Sequence, residues 1–365
     1  MCDLSQVFSE KPATIPIIDV DVHPIIDYDR VFDFLAEPWR SRYASGNRSA
    51  GGLGYWNPNG VMRSDAVLDD GTPTYIRPET LAAHHFDTNN LAYGVLNNPH
   101  IGMPLSPEPD YAASVISAFN DILIEDWLPV DERFLASIMV PLGDPQLAVR
   151  EIHRVGDHPR VAQVLLPGGS PLLYGNRYFH PLYQAAAAHD LPVTLHPGPE
   201  GTGISGRPTA AGYPSSYLEW HTGLSTVYQS QLLSLVTEGV FQKFPTLKVV
   251  LLEAGVMWLP PLMWRLDKNW KALRMTSPWL DRPPSDVIQD HVMLNTQPIE
   301  EPEKVAHFRA MLDMFDAESM LMFSSDYPHW DGDTPDFAAR MFPESMRKLV
   351  LAENARDLYR LAKRQ

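Results

Sequence analysis

Short apolar runs rich in β-branched residues alternate along the chain with longer segments whose apolar side chains recur at helical spacing. The runs have the length of buried strands, and the segments between them have the period of amphipathic helices. The predicted strands cover residues 15–24, 92–97, 134–142, 161–166, 193–196, 247–253, 292–296 and 320–326. Strands that alternate with helices form a parallel sheet, and about eight of them in one chain favour a closed (β/α)8 TIM barrel of the α/β class.

The intervening segments predict the helices of the barrel. Asp144 is the predicted N-cap of one of them, because a proline at the following position suits the first turn of a helix. The other main helices are predicted over residues 28–36, 78–89, 111–128, 178–189, 226–244, 259–273 and 303–315.

One stretch, residues 39–73, lacks both periodicities and is rich in Gly, Asn, Ser and Arg, with a glycine-rich centre at residues 50–54. Long loops in compact domains are commonly functional lids. The sequence therefore predicts a loop insertion after the first strand that closes over a bound substrate.

Composition narrows the class of protein. The chain has 365 residues, 44% of them hydrophobic, and no linker divides it, so we expect a single domain over residues 1–365. A net charge of -16 without a basic run argues against a nucleic-acid partner. The single cysteine, Cys2, excludes a disulfide framework and a Cys-based metal site. Neither a signal peptide nor an apolar run of bilayer length is found, so we expect a cytoplasmic protein without a membrane partner.

Ionisable residues stand at the ends of four predicted strands, namely His23, His196, Glu253 and Asp326, and Asp21 lies two residues before His23 on the same strand face. An ordinary buried Asp–His pair would explain the first strand alone. The C-terminal strand ends of a TIM barrel, however, converge on one mouth, where catalytic groups lie. Imidazoles and carboxylates together predict a divalent metal site suited to Zn, Mn or Fe, with one or two ions per chain.

Several motifs carry a resemblance to a known family. The chain resembles the amidohydrolase superfamily, and in particular its amidohydrolase-related branch around aminocarboxymuconate-semialdehyde decarboxylase. The resemblance covers about residues 15 to 360, and its motifs are Asp-x-His at 21–23, His-Pro-Gly at 196–198, Phe-Pro-Thr-Leu-Lys-Val-Val-Leu-Leu-Glu-Ala-Gly at 244–255, Ser-Asp-Tyr-Pro-His at 325–329 and Glu-Asn-Ala-Arg-Asp-Leu-Tyr at 353–359.

The resemblance implies roles for the strand-end residues. Asp21 and His23 stand at the family's first pair of metal ligands, His196 at the ligand of the fifth strand, and Asp326 at the carboxylate that binds the metal or accepts a proton from bound water. The chain departs from the family at the sixth strand, where Glu253 replaces the histidine that serves the decarboxylases as acid or base.

Two residues could compensate for that departure. His221 could replace the lost imidazole, or it could complete a second metal site together with Glu253. The alternatives are a surface or helix-capping role for His221 and an ion pair between Glu253 and Arg265 or Lys268. Both residues are therefore candidate catalytic groups, with Asp326, and candidate metal ligands.

Other residues are weaker candidates. His84 and His85 are adjacent on a predicted helix and are interpreted as structural. Asp331 and Asp333 most resemble a helix cap, and His329 could line the barrel mouth or hold its loop.

We expect a metal-dependent hydrolase or a non-oxidative decarboxylase that acts on a small organic molecule. A second hypothesis is an oxygenase with a dinuclear Mn/Fe or Fe/Fe centre, which the carboxylate-rich ligand set would suit. A third is a metal-bearing partner subunit of a paralogous enzyme. A homodimer or an assembly with such a paralogue is the expected oligomer.

Overall fold

Eight parallel strands of the computed structural model form one sheet in the order of the chain, with each strand hydrogen-bonded to the next. The structure describes residues 15–45, 55–57 and 60–362. Nearly every strand residue is buried, as expected for a parallel sheet covered on both faces. The strands β1 to β8 cover Ile17–Val22, Leu91–Leu96, Phe134–Met139, Val161–Pro167, Val193–His196, Val249–Leu251, Val292–Asn295 and Leu321–Met322.

The seam between the first and last strands closes the barrel. Strand β8 has only two residues, so the contact continues in the segment that follows it. Val20 N donates to Phe323 O at 3.1 Å, and His23 N donates to Tyr327 O at 2.7 Å. The predicted barrel is confirmed, although its last strand is much shorter than the apolar run at residues 320–326.

Helices follow the strands and cover the outside of the barrel. Asp144 caps α5 as predicted, because its side chain accepts a hydrogen bond from Gln146 N at 2.8 Å. The α-helices α1 to α16 of the described chain are Val31–Phe34, Trp39–Ala44, Pro78–Leu81, Pro109–Ile122, Pro145–Val155, His180–Ala188, Tyr217–Thr222, Ser225–Thr237, Val240–Lys243, Leu259–Leu273, Pro284–His291, Val305–Leu312, Ala317–Met320, Pro335–Met341, Glu344–Lys348 and Asn354–Leu358. Turns of π-helix extend three of them over Ala82–Asp87, Leu123–Trp127 and Leu349–Glu353.

The segment between β5 and β6 differs from the prediction in two places. The helix predicted over residues 226–244 is divided into α8 and α9 by Gly239, whose φ of 75° lies in the left-handed region that ends a helix. The loop before it contains a further short helix, α7, whose N-cap Ser216 accepts a hydrogen bond from Glu219 N.

The predicted insertion contains helix α2 and then runs along the barrel mouth. Arg63 N donates to Pro328 O at 2.8 Å, and Trp330 N donates to Val61 O at 3.0 Å. The insertion is therefore joined by backbone hydrogen bonds to the loop after β8. Residues 46–54, with the glycine-rich centre, residues 58–59 and Cys2 lie outside the described residues, so the lid stays a prediction, as does the single domain.

A layer of polar side chains crosses the barrel interior below the mouth. Gln163 donates to Asn97 Oδ1 at 3.1 Å and to Ser137 Oγ at 2.7 Å. Its carbonyl oxygen accepts from Thr194 Oγ1 and from the Tyr359 hydroxyl, both at 2.7 Å. These partners satisfy the buried amide, and they leave Asn97 fixed directly beneath the strand ends.

Among the described helices, none has the length and apolar character to cross a membrane.

Gly94 on β2 provides a test of the packing. A methyl group there would lie 2.3 Å from Phe86 Cζ, so Gly94→Ala should reduce the free energy of unfolding by about 1–3 kcal/mol through overpacking. Chemical denaturation would measure the loss. In a Phe86→Leu background the same substitution should cost less, and an equal cost in both backgrounds would contradict the assigned clash.

Candidate metal centre

Strand β1 brings Asp21 and His23 to the barrel mouth, and Asn97 at the end of β2 holds both of them. The Asn97 side chain donates to Asp21 Oδ1 at 2.7 Å, and the backbone carbonyl oxygen of Asn97 accepts from His23 Nδ1 at 3.1 Å. A carbonyl oxygen can only accept, so Nδ1 carries the hydrogen, and Nε2 of the neutral ring keeps its lone pair. The histidine is thus held in the tautomer that binds a metal through Nε2.

His196, at the end of β5, is held in the same way. Its Nδ1 donates to Pro197 O at 2.7 Å, and its Nε2 lies 3.3 Å from Nε2 of His23. Two lone pairs that face each other at this distance repel unless a proton or a cation lies between them. Both rings are buried.

Glu253 and Asp326 follow β6 and β8, and both have a backbone conformation that non-glycine residues rarely adopt, with φ of 51° and 55°. Such conformations cost about 1–3 kcal/mol each and are concentrated at functional sites. Glu253 Oε1 lies 2.7 Å from His196 Nε2, and Asp326 Oδ1 lies 3.1 Å from His23 Nε2. Asp21 Oδ1 lies 3.0 Å from the same nitrogen of His23.

Buried charge shifts the pKa values of these groups. Burial would lower the pKa of both histidines, but the neighbouring carboxylates outweigh it: Asp21 and Asp326 raise the pKa of His23 well above 6.5, and Glu253 raises that of His196 to about 9. Burial and repulsion by Asp326 raise the pKa of Glu253. The pKa of Asp326 is lowered despite burial, because His329 and His23 stabilise its charge. The cluster therefore attracts positive charge strongly.

The donor atoms fit a divalent cation. Asp21, His23, His196 and Glu253 each offer an atom within 4.8 Å of the others, and a second such group joins His23 and Glu253 to Asp326 and His329. Asp21 Oδ2 is buried and has no hydrogen-bond partner among the described residues. Buried carboxylate oxygens without donors are costly, and a bound cation removes that cost.

A cavity of about 220 Å³ opens beside these donors. Its outer part is an aromatic wall, defined as Tyr217, Trp220, His221 and Trp330. Tyr217 stacks on His221 with ring centroids 5.3 Å apart, and Trp330 lies 5.9 Å from the same imidazole. Within the described chain, no Lys or Arg lines the cavity.

His221 belongs to this wall and to neither group of metal donors in the described structure. It lies on α7, and its Nε2 is 3.1 Å from Asp331 Oδ2. Burial would lower the pKa of His221, but the Asp331 carboxylate raises it above 6.5 overall. Glu253, in contrast, is paired with His196 and not with the predicted alternatives on α10.

Four further residues at or next to the site were missed or judged weak from the sequence. Asn97 ends a predicted strand but is not ionisable, and Asp331 and His329 resembled loop and capping residues. His329 Nδ1 lies 2.5 Å from Asp326 Oδ1. Asp19 alternates with Asp21 and His23 along β1, and this period of two was the available signal for a third inward-facing polar residue.

Known proteins resemble this chain in sequence and in fold. The amidohydrolase family model matches residues 18–361. Gamma-resorcylate decarboxylase of Rhizobium sp. is 27% identical over 311 residues, which are 78% of this chain and 86% of the relative. The corresponding enzyme of Polaromonas sp. is 28% identical over 264 residues, 66% of this chain and 75% of the relative.

Solved structures show the same fold. 2,6-Dihydroxybenzoate decarboxylase from Rhizobium matches with a TM-score of 0.64 at 18% identity, covering 94% of this chain and 98% of that one. 5-Carboxyvanillate decarboxylase from Novosphingobium aromaticivorans, solved with manganese, matches with a TM-score of 0.70 at 17% identity, covering 94% and 96% of the two chains.

A cation that binds the folded protein should stabilise it. At a free Mn²⁺ concentration of 100 times Kd the expected gain is about 2.7 kcal/mol, visible as a rise in Tm that a chelator reverses. His196→Gln should abolish the rise, whereas His153→Gln, which changes an exposed histidine on α5, should retain it. A rise of equal size in both variants would mean that the ion binds elsewhere.

Proposed function

The chain belongs to the amidohydrolase family, and from this premise we propose that it is a metal-dependent, non-oxidative decarboxylase of a small aromatic carboxylic acid. Family membership and the decarboxylase relatives confirm the prediction of a metal-dependent enzyme of the hydrolase or decarboxylase type. They give no support to the oxygenase hypothesis. The observation that carries the proposal is the pair of facing imidazole Nε2 atoms among buried carboxylates, beside a cavity with an aromatic wall.

One divalent ion per chain is our proposal for the cofactor, with Asp21, His23, His196, Asp326 and Glu253 as its ligands. A single ion is favoured because both donor groups include His23, which has only one free ring nitrogen. Manganese is the favoured metal, since mixed carboxylate and imidazole donors suit it and a structural neighbour was solved with it. The ion supplies Lewis-acid polarisation of a substrate oxygen.

The cavity determines what the chain can bind. The aromatic wall offers flat faces for stacking with an aromatic ring. No Lys or Arg lines the described cavity, so we assign recognition of the substrate carboxylate to the metal centre and the imidazoles.

Decarboxylation breaks the bond between the ring and the carboxylate, releases CO₂ and requires one proton at the ring carbon. Glu253 replaces the expected imidazole of the sixth strand, so we assign proton delivery to His221 with Asp331. The Asp331 carboxylate raises the pKa of His221 and thereby keeps it protonated to higher pH. Asp331 also contacts Nε2 of His221, and this contact fixes the orientation of the ring and of its other nitrogen, Nδ1.

The direct test combines metal analysis with product detection. Protein purified without added metal is analysed for its elements, loaded with Mn²⁺ and incubated with a panel of hydroxybenzoates. We expect one ion per chain, CO₂ and the corresponding phenol. Two ions that include iron, with oxygen consumption, would favour the oxygenase instead. Metal binding without CO₂ release from any aromatic acid would contradict the proposed reaction.

The oligomer is a separate proposal. We expect a homodimer or an assembly with a paralogue, and light scattering of the purified chain alone would distinguish the two.

Asp331→Asn should shift the pH profile. With the carboxylate gone, burial dominates and the pKa of His221 falls, so its protonated form is lost at lower pH. The alkaline limb of log kcat/KM should therefore move to lower pH. Asp336→Asn, which changes an exposed carboxylate on α14, should leave the profile unchanged. An unchanged profile in Asp331→Asn would remove His221 from the proton transfer.

Trp220→Leu should weaken binding of an aromatic substrate. Loss of ring stacking worth about 0.5–1.5 kcal/mol corresponds to an increase in KM of about twofold to tenfold. Trp264→Leu is the matched control, because Trp264 is 54% exposed on α10 and does not line the cavity. Equal KM values for the two variants would exclude Trp220 from the binding site.

A further inference from the structure

Asp19 lies on the same inward face of β1 as Asp21 and His23, but its carboxylate points at protein groups and not at the proposed ion. Oδ1 accepts from Ser325 N at 2.9 Å, and Oδ2 accepts from Ser325 Oγ at 2.5 Å. His85 Nε2 lies 2.9 Å from Oδ2. The three side chains are buried, and they connect the first strand with the loop that carries Asp326.

The tautomer of His85 follows from its neighbours. Asn89 Nδ2 donates to His85 Nδ1 at 3.3 Å, so Nε2 carries the hydrogen and donates to Asp19. Asp19 thus accepts hydrogen bonds from these three donors on two other segments of the chain and from Asp21 N at 3.2 Å. Only a carboxylate can accept all of these hydrogen bonds, because the NH2 group of an amide would be a donor that faces another donor.

Tyr327, on the other side of Asp326, is fixed by the same group. Its ring stacks on His85 with centroids 4.2 Å apart and an angle of 10°, and its N–H donates to Ser325 Oγ at 3.0 Å. Its carbonyl oxygen accepts from His23 N at 2.7 Å. The residues before and after Asp326 are therefore both anchored.

Asp326 itself has a φ of 55°, a strained conformation for a residue with a side chain. Strand β8 ends at Met322 and cannot impose it. We infer that Asp19, His85 and Ser325 form a positioning clamp that holds the Asp326 carboxylate at the metal centre. The inference rests on the proposed function, since it takes Asp326 as a ligand.

A clamp of this kind predicts a specific loss. Groups that orient metal ligands typically change metal affinity by about 10- to 100-fold when they are removed. A purely structural role for Ser325 would lower the stability of the fold and leave the affinity of the folded protein for metal unchanged. The two roles are separated by measuring Kd and Tm on the same variants.

The test measures Mn²⁺ binding by calorimetry to the full chain with Ser325→Ala and, as a more severe change, Asp19→Asn. Ile152→Val provides the control, because Ile152 is fully buried in α5 away from the mouth and its substitution lowers Tm without touching the clamp. We expect Kd to rise at least tenfold in Ser325→Ala and to stay within twofold of the original in the control. Ser325→Thr, which keeps the hydroxyl group, should recover most of the affinity.

The outcomes distinguish this inference from the proposed function. Unchanged Mn²⁺ affinity in Ser325→Ala, with the original protein binding normally, would overturn the clamp alone. Loss of affinity in the Ile152→Val control to the same extent would also overturn it, because affinity would then follow stability. Absence of Mn²⁺ binding by the original protein would overturn the proposed metal centre and the clamp with it.

Discussion

The repulsion between two imidazole lone pairs is the constraint on which the barrel mouth depends. His23 and His196 each donate Nδ1–H to a carbonyl oxygen, so their Nε2 atoms face each other at 3.3 Å among three buried carboxylates. Such a set is stable only with positive charge at its centre. The raised pKa values of the two rings show that protons can supply this positive charge. A divalent ion would supply it as well, with the same carboxylates and imidazoles as its ligands.

The scaffold keeps these groups in place through strained backbone and buried hydrogen bonds. Glu253 and Asp326 have left-handed conformations at the ends of short strands, and the polar layer through Asn97 and Gln163 supports the first strand from below. The cost of the strained residues is offset by these contacts and by the packed barrel. The same mouth carries an aromatic wall and the His221–Asp331 pair, so the proposed substrate binding and proton transfer would share one cavity.

The sequence predicted the barrel and the converging strand ends, because both depend on local patterns: strand–helix alternation and ionisable residues after apolar runs. It could not predict the partners of those residues. Asn97 and Pro197 hold the imidazoles through backbone carbonyl oxygens, which no sequence pattern records. His221 meets Asp331 only because α7 and the loop after β8 pack together, and the sequence assigned α7 to a loop.

We propose that one ion binds between the facing imidazoles, and anomalous X-ray diffraction from crystals grown with Mn²⁺ would locate it. We expect a single anomalous peak per chain, within bonding distance of both Nε2 of His23 and Nε2 of His196. A peak at any other place, or crystals with Mn²⁺ in excess and no peak at the barrel mouth, would contradict it.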